Sequence, residues 1–189
     1  MISLYVKKIE KLGKEQEENI LSLLSSGARS RLNKKRNEAL RLASLCALSL
    51  IPQNMLPHLE YTESGIPYFN SISTNISISH SSTYAAVAIS DSAIGIDVED
   101  TSNKDNLARY ARFFTENERM SAEKGASHIE IWTKKEALFK YLKNDNITFI
   151  SLDRTQAGVN FKTINLNGAI LTLCTEKEEQ IEIMDNFKF

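Results

Sequence analysis

The sequence predicts an α+β protein, on three observations. Residues 15–24 and 39–50 carry helical patterns. Short alternating or apolar runs, the period of strands, occupy residues 72–99 and return over 159–184. One long helical pattern, residues 130–142, stands between those two strand regions. A chain of 189 residues, 42% of them hydrophobic, is enough for one cored domain or two small halves.

Taken in order, residues 2–9 are a short apolar start and suit an edge strand. Ile20, Leu21, Leu23 and Leu24 mark the first helix, which Ser25-Ser26-Gly27 breaks. The basic stretch Arg29, Arg31, Lys34, Lys35, Arg36 has the character of a solvated face. Residues 39–50 are apolar nearly all round, so they predict a buried helix, ended by Pro52. Arg41 on that helix needs an anion, either a carboxylate or a phosphate. Residues 57–70 suit a loop with turn signals, among them Gly65-Ile66-Pro67-Tyr68. Ile72, Ile76 and Ile78 then fall at even spacing, as on a half-buried strand that ends in Ser79-His80-Ser81-Ser82. His80 has no second His or Cys at metal-ligand spacing, which leaves a capping residue or a phosphate contact.

Tyr84-Ala85-Ala86-Val87-Ala88-Ile89 and Ile94-Gly95-Ile96-Asp97-Val98-Glu99-Asp100 predict two strands of a hairpin, joined by Ser90-Asp91-Ser92-Ala93. Side chains two apart on a strand share a face, so Asp97 and Glu99 stand side by side. Such a pair is either a solvated strand end or the start of a cation site, and oxygen ligands suit a hard ion such as magnesium. Residues 105–114 look helical. Thr115-Glu116-Asn117-Glu118 fits a capping box, opening a helix that Gly125 stops. In residues 130–142, Ile131, Trp132, Leu138, Phe139 and Leu142 form an apolar stripe, with Lys135 in its middle. Its stem can snorkel, but its ammonium needs a partner. Glu136 and Lys140 are four apart and share a face. They are either a routine helix ion pair, or Glu136 joins Asp97 and Glu99 while Lys135 and Lys140 face a phosphorylated ligand. In the tail, residues 159–164 alternate, Asn167-Gly168 is a hairpin turn, 169–174 run back, and 180–184 alternate again.

A net charge of −1 neither favours nor excludes nucleic acid. Cys46 and Cys174 form no CxxC, so a reduced, intracellular chain without a disulfide framework is expected. The N-terminus lacks the form of a signal peptide, and no apolar run is long enough to span a bilayer. The expected setting is the cytoplasm. There is no clear repeat. A boundary near residue 90 is possible, though no Pro/Gly-rich linker marks it.

Two stretches together go further than either alone. Gly95-Ile96-Asp97-Val98-Glu99, followed by Trp132-Thr133-Lys134-Lys135-Glu136-Ala137-Leu138-Phe139-Lys140, resembles the signature of the phosphopantetheinyl transferases, G-[IV]-D-[VI]-E then W-x-x-K-E-[AS]-x-x-K. Ile78-Ser79-His80-Ser81 resembles the family's N-I-S-H-S. Arg112-Phe113-Phe114-Thr115-Glu116-Asn117-Glu118 resembles R-F-F-[ST]-x-x-E. The resemblance spans residues 25–143 in the family's order. Because residues 1–94 precede the G-I-D motif, the chain is similar to the larger, surfactin-synthetase-activating type. That implies two similar α/β subdomains, residues 1–90 and 91–189, related by a pseudo-twofold axis in one monomeric chain. Coenzyme A would bind between them.

The implied reaction moves the 4'-phosphopantetheine arm of coenzyme A to a serine of an apo acyl or peptidyl carrier protein and releases adenosine 3',5'-bisphosphate. The resemblance assigns magnesium (Mg2+) to Asp97, Glu99 and Glu136, and phosphates to Lys140 and Lys135. It assigns a coenzyme A phosphate to His80, the proton of the attacking serine to Glu118, and the nucleotide's phosphates to Arg41, Arg31 and Arg29. Neither nucleic acid nor membrane is an implied partner. The family often has G-K-P-[YF] where this chain has Gly65-Ile66-Pro67-Tyr68, and Ser77 stands for the asparagine of N-I-S-H-S. A non-catalytic relative that binds carrier protein or nucleotide is the alternative. A magnesium-dependent phosphoester hydrolase on the same acids is a third reading.

Overall fold

The computed structural model describes residues 1–102, 110–144, 146–155 and 158–184. Its elements are β1 (Ile2–Lys8), α1 (Lys14–Leu23), α2 (Ser26–Asn33), α3 (Glu38–Leu48), β2 (Leu59–Tyr61), β3 (Pro67–Phe69), β4 (Asn75–His80), β5 (Tyr84–Ser90), β6 (Ile94–Asp100), α4 (Glu116–Glu123), α5 (His128–Leu142), β7 (Asn160–Leu166), β8 (Ala169–Thr175) and β9 (Ile181–Ile183). The mixed α+β class is as expected. Of the helix expected over 105–114, residues 105–109 lie outside the described residues. Among the described residues, no helix is long and apolar enough to cross a membrane.

Two sheets stack with helices outside them. The first has the order β4-β5-β1-β9 and the second β6-β8-β7. Strand alternation decides what each face meets. Ala85, Val87 and Ile89 of β5, with Tyr5 of β1, pack under α1–α3 against Ile20, Leu32, Leu45 and Cys46. The opposite faces, Ile2, Leu4, Ala86 and Ala88, meet Ile94, Ile96, Val98, Leu171 and Leu173 of the second sheet. α5 covers the far side of that sheet, with Ala137 and Leu138 on Cys174. β5 and β8 are buried along their whole length, as befits central strands covered on both faces.

Four expectations need correction. β1 is not an edge strand: β9 pairs with it in parallel, Ile2 opposite Ile181 and Leu4 opposite Ile183. Residues 84–100 contain both predicted strands but no hairpin, because β5 and β6 enter different sheets. The free edge of β6 is met by serines instead: Ile96 N donates to Ser77 Oγ (3.0 Å) and Val98 N to Ser79 Oγ (3.3 Å). Ser77, where the family pattern has asparagine, is thus part of this seam. The stretch taken as loop holds a small hairpin, β2 with β3, in which Tyr61 pairs with Pro67. Ser25 does not simply break the first helix; its hydroxyl accepts from Ala28 N and starts α2.

Candidate active site

β6 sets out the acids. Gly95, Asp97 and Glu99 share its α5-facing side. Gly95 must be glycine, because a Cβ there would run into the backbone of Ala137 and Tyr141 on α5. That close approach brings Glu136 and Lys140 over the two acids. A cleft of about 330 Å³ opens here. Asp97, Glu99, Glu136 and Lys140 line one side of it, and His80, Lys35, Arg31 and Tyr61 also face it.

Asp97 is nearly buried and lopsided. Its Oδ1 accepts from Lys140 Nζ (2.7 Å) and Ser79 Oγ (2.9 Å). Its Oδ2 is buried with no hydrogen-bond partner. Glu99 is held at both oxygens, by Trp132 Nε1 and by the Tyr110 hydroxyl, each at 3.1 Å. Burial, then the Asp97 charge, pushes the Glu99 carboxyl above its usual range, against those two bonds. Burial raises the Glu136 carboxyl to about 7; Lys140 opposes, and Asp97 and Glu99 reinforce. Burial works against the Lys140 charge, but Asp97 and Glu136 outweigh it and leave its pKa raised. Burial, with Lys35 and Lys140 near, lowers the His80 imidazole, which is neutral at pH 7. Asp100 gathers Ser81 Oγ (2.7 Å) and Ser82 N (2.9 Å), fixing the turn that follows His80.

The three carboxylates therefore face one cleft. Among the described residues, however, no group of three or more acidic, histidine or cysteine side chains is arranged to hold a metal ion as it stands; Lys140 lies against Asp97 instead. The donor set nevertheless fits a hard cation. It is all oxygen, it includes an orphaned buried carboxylate oxygen, and it holds a carboxyl whose ionisation is suppressed by burial and like charge.

Four expected ligand-side residues do not reach the cleft. Lys135 is fully buried and donates to Glu118 Oε2 at 2.9 Å and to the carbonyl of Leu152. Glu118, also fully buried, completes the capping box by accepting from Thr115 N, and Arg154 N reaches its other oxygen. Both side chains are sealed from the cleft and pair with each other, so in this structure neither expected residue faces the site. Arg41 takes Glu17 as its anion at 2.7 Å. Arg29 stands on the exposed side of α2 beside Ser30 and Lys34.

Sequence reasoning passed over Lys35, Ser79, Tyr61 and the donors to Glu99. Lys35 follows Arg31 by four residues, a spacing that puts both on one side of a helix. Trp132 carries an indole N–H that needs an acceptor when buried, which pointed to a nearby acid. Nothing in the sequence marked Ser79 as the link between two strands.

Residues 93–185 match the family model of the 4'-phosphopantetheinyl transferase superfamily. That span holds Asp97, Glu99, Glu136 and Lys140 and leaves out His80, Arg31 and Lys35. No curated protein matches the chain.

Proposed function

We propose that this chain is a phosphopantetheinyl transferase of the larger, two-halved type. It moves the 4'-phosphopantetheine arm of coenzyme A to a serine of an apo acyl or peptidyl carrier protein. One observation carries the reading: an acid cluster with a lysine shares a cleft with Arg31, Lys35 and a neutral His80. The family match over the acid-bearing half supports it.

Asp97, Glu99 and Glu136 would hold magnesium, which when bound offsets charge on the diphosphate during transfer. Lys140 adds a fixed positive charge at the same end. Glu136 takes the proton of the carrier serine as its oxygen bonds to the β-phosphorus of coenzyme A. The bond to the α-phosphate oxygen breaks, and adenosine 3',5'-bisphosphate leaves. Two buried free cysteines support a reducing, cytoplasmic setting.

The test is to incubate the chain with coenzyme A, magnesium and several apo carrier proteins, then weigh the carriers. The expected result is a gain of one phosphopantetheine. No gain on any carrier, with an active control transferase alongside, overturns the reading. The burial of Glu118 favours one rival, a relative that binds coenzyme A without transfer. Calorimetric binding that survives Asp97→Ala, without turnover, would support that rival.

A further inference from the structure

Tyr110 stands outside the sequence motifs, yet its hydroxyl ends on the acid cluster. The side chain is buried, packed with Phe114 and Ile131. Its ring stacks on that of Trp132, with centroids 4.5 Å apart and planes 18° from parallel. A buried phenol O–H and a buried indole N–H each need an acceptor. One carboxylate serves both: the Tyr110 hydroxyl donates to Glu99 Oε2 and Trp132 Nε1 to Oε1.

The two donors come from different parts of the chain. Trp132 lies on α5, and Tyr110 on the segment that leads into α4. The Glu99 carboxylate cannot turn in its plane or out of it without breaking one of the two bonds. Asp97, its neighbour on β6, is held at one oxygen only. Such a clamp bears on which cation the cluster accepts. Magnesium demands near-ideal octahedral geometry, whereas calcium takes carboxylates through one or both oxygens in flexible shells. A carboxylate fixed in plane, with a donor on each oxygen, suits the first ion and resists the second.

We propose that Tyr110 is a positioning residue whose hydroxyl biases the acid cluster toward magnesium over calcium, by keeping Glu99 from turning both oxygens to one ion. This inference rests on the reading of the cluster as the metal site of a coenzyme A cleft. The test is to titrate magnesium, and separately calcium, into the full chain with coenzyme A present, followed by calorimetry. Trp132 is the chain's one tryptophan and donates to Glu99, so its fluorescence is a second, local readout. Tyr110→Phe keeps the stacked ring and removes only the hydroxyl. It should weaken magnesium about tenfold, as losing a hydrogen bond behind a metal ligand does, while calcium holds or tightens. A purely structural Tyr110 would leave the ratio of the two affinities where it is. If Tyr110→Phe weakens both ions alike, or weakens neither, the inference is overturned while the coenzyme A reading stands. A wild type that binds neither ion beside coenzyme A overturns both.

Discussion

Two lysine–carboxylate pairs on α5 lie five residues apart and differ in almost every physical respect. Lys135 with Glu118 is sealed, both side chains showing 0% exposure. Every oxygen of Glu118 has a donor, and Lys135 also has the Leu152 carbonyl. Lys140 with Asp97 is open on one side: the lysine is 29% exposed, the cleft runs past it, and Asp97 keeps one oxygen unpartnered. A satisfied buried pair holds elements together and can do little else. A pair left unfinished beside a cleft is where a ligand gains by binding. The difference is one of surroundings, since both pairs join an acid to the same helix.

The sharpest way to break this contrast is to remove one partner of the sealed pair. Lys135→Ala leaves buried Glu118 with the Arg154 guanidinium, 4.0 Å away, as its counter-charge, and should cost about 3 kcal/mol of unfolding free energy in urea. Lys135→Met with Glu118→Gln should recover much of that loss. Glu118→Gln alone should lower the melting temperature yet leave turnover per folded molecule unchanged. A slowed chemical step at normal stability would restore Glu118 as the base.

The open pair should answer the other way. Asp97→Asn should cut carrier modification by about a hundredfold or more, judged by the effect of removing one charge-stabilising group. Its melting temperature should stay near that of the wild type.

Glu136 adds a pH signature. Burial raises its folded pKa to about 7, from an ordinary 4.5. The stability linked to it is fully present below about 4.5 and is lost as pH rises through about 7. In metal-free buffer, Glu136→Gln should therefore gain on the wild type between those values, by a few degrees in melting temperature. Magnesium should shrink the gap by stabilising the ionised wild type. Smallest of all, Arg41→Ala removes a partly exposed ion pair and should cost about 1 kcal/mol or less. Coenzyme A affinity should not change.

Local patterns carried much of this fold. The period of residues 130–142 marked α5, and the two-residue alternation placed Asp97 and Glu99 on one face. The capping box at Thr115 formed as its residues dictate. What stayed hidden is long-range. No pattern within residues 84–100 says that two neighbouring strands enter different sheets, because that choice depends on β8 and on the serines of β4. Lys135 shows the same limit. Its place in an apolar stripe called for a partner; the partner comes from α4, whereas the family resemblance had implied a phosphate.

The placement of β9 also bears on how the molecule is made. Its three residues lie along β1, almost the whole chain away. During synthesis the first strand emerges early and keeps one flank bare until residue 183 has left the ribosome. Over that interval its unpaired amides are an invitation to any other extended chain nearby. A charged lysine pair, Lys7 and Lys8, sits at the far end of that strand, where it can discourage such partners.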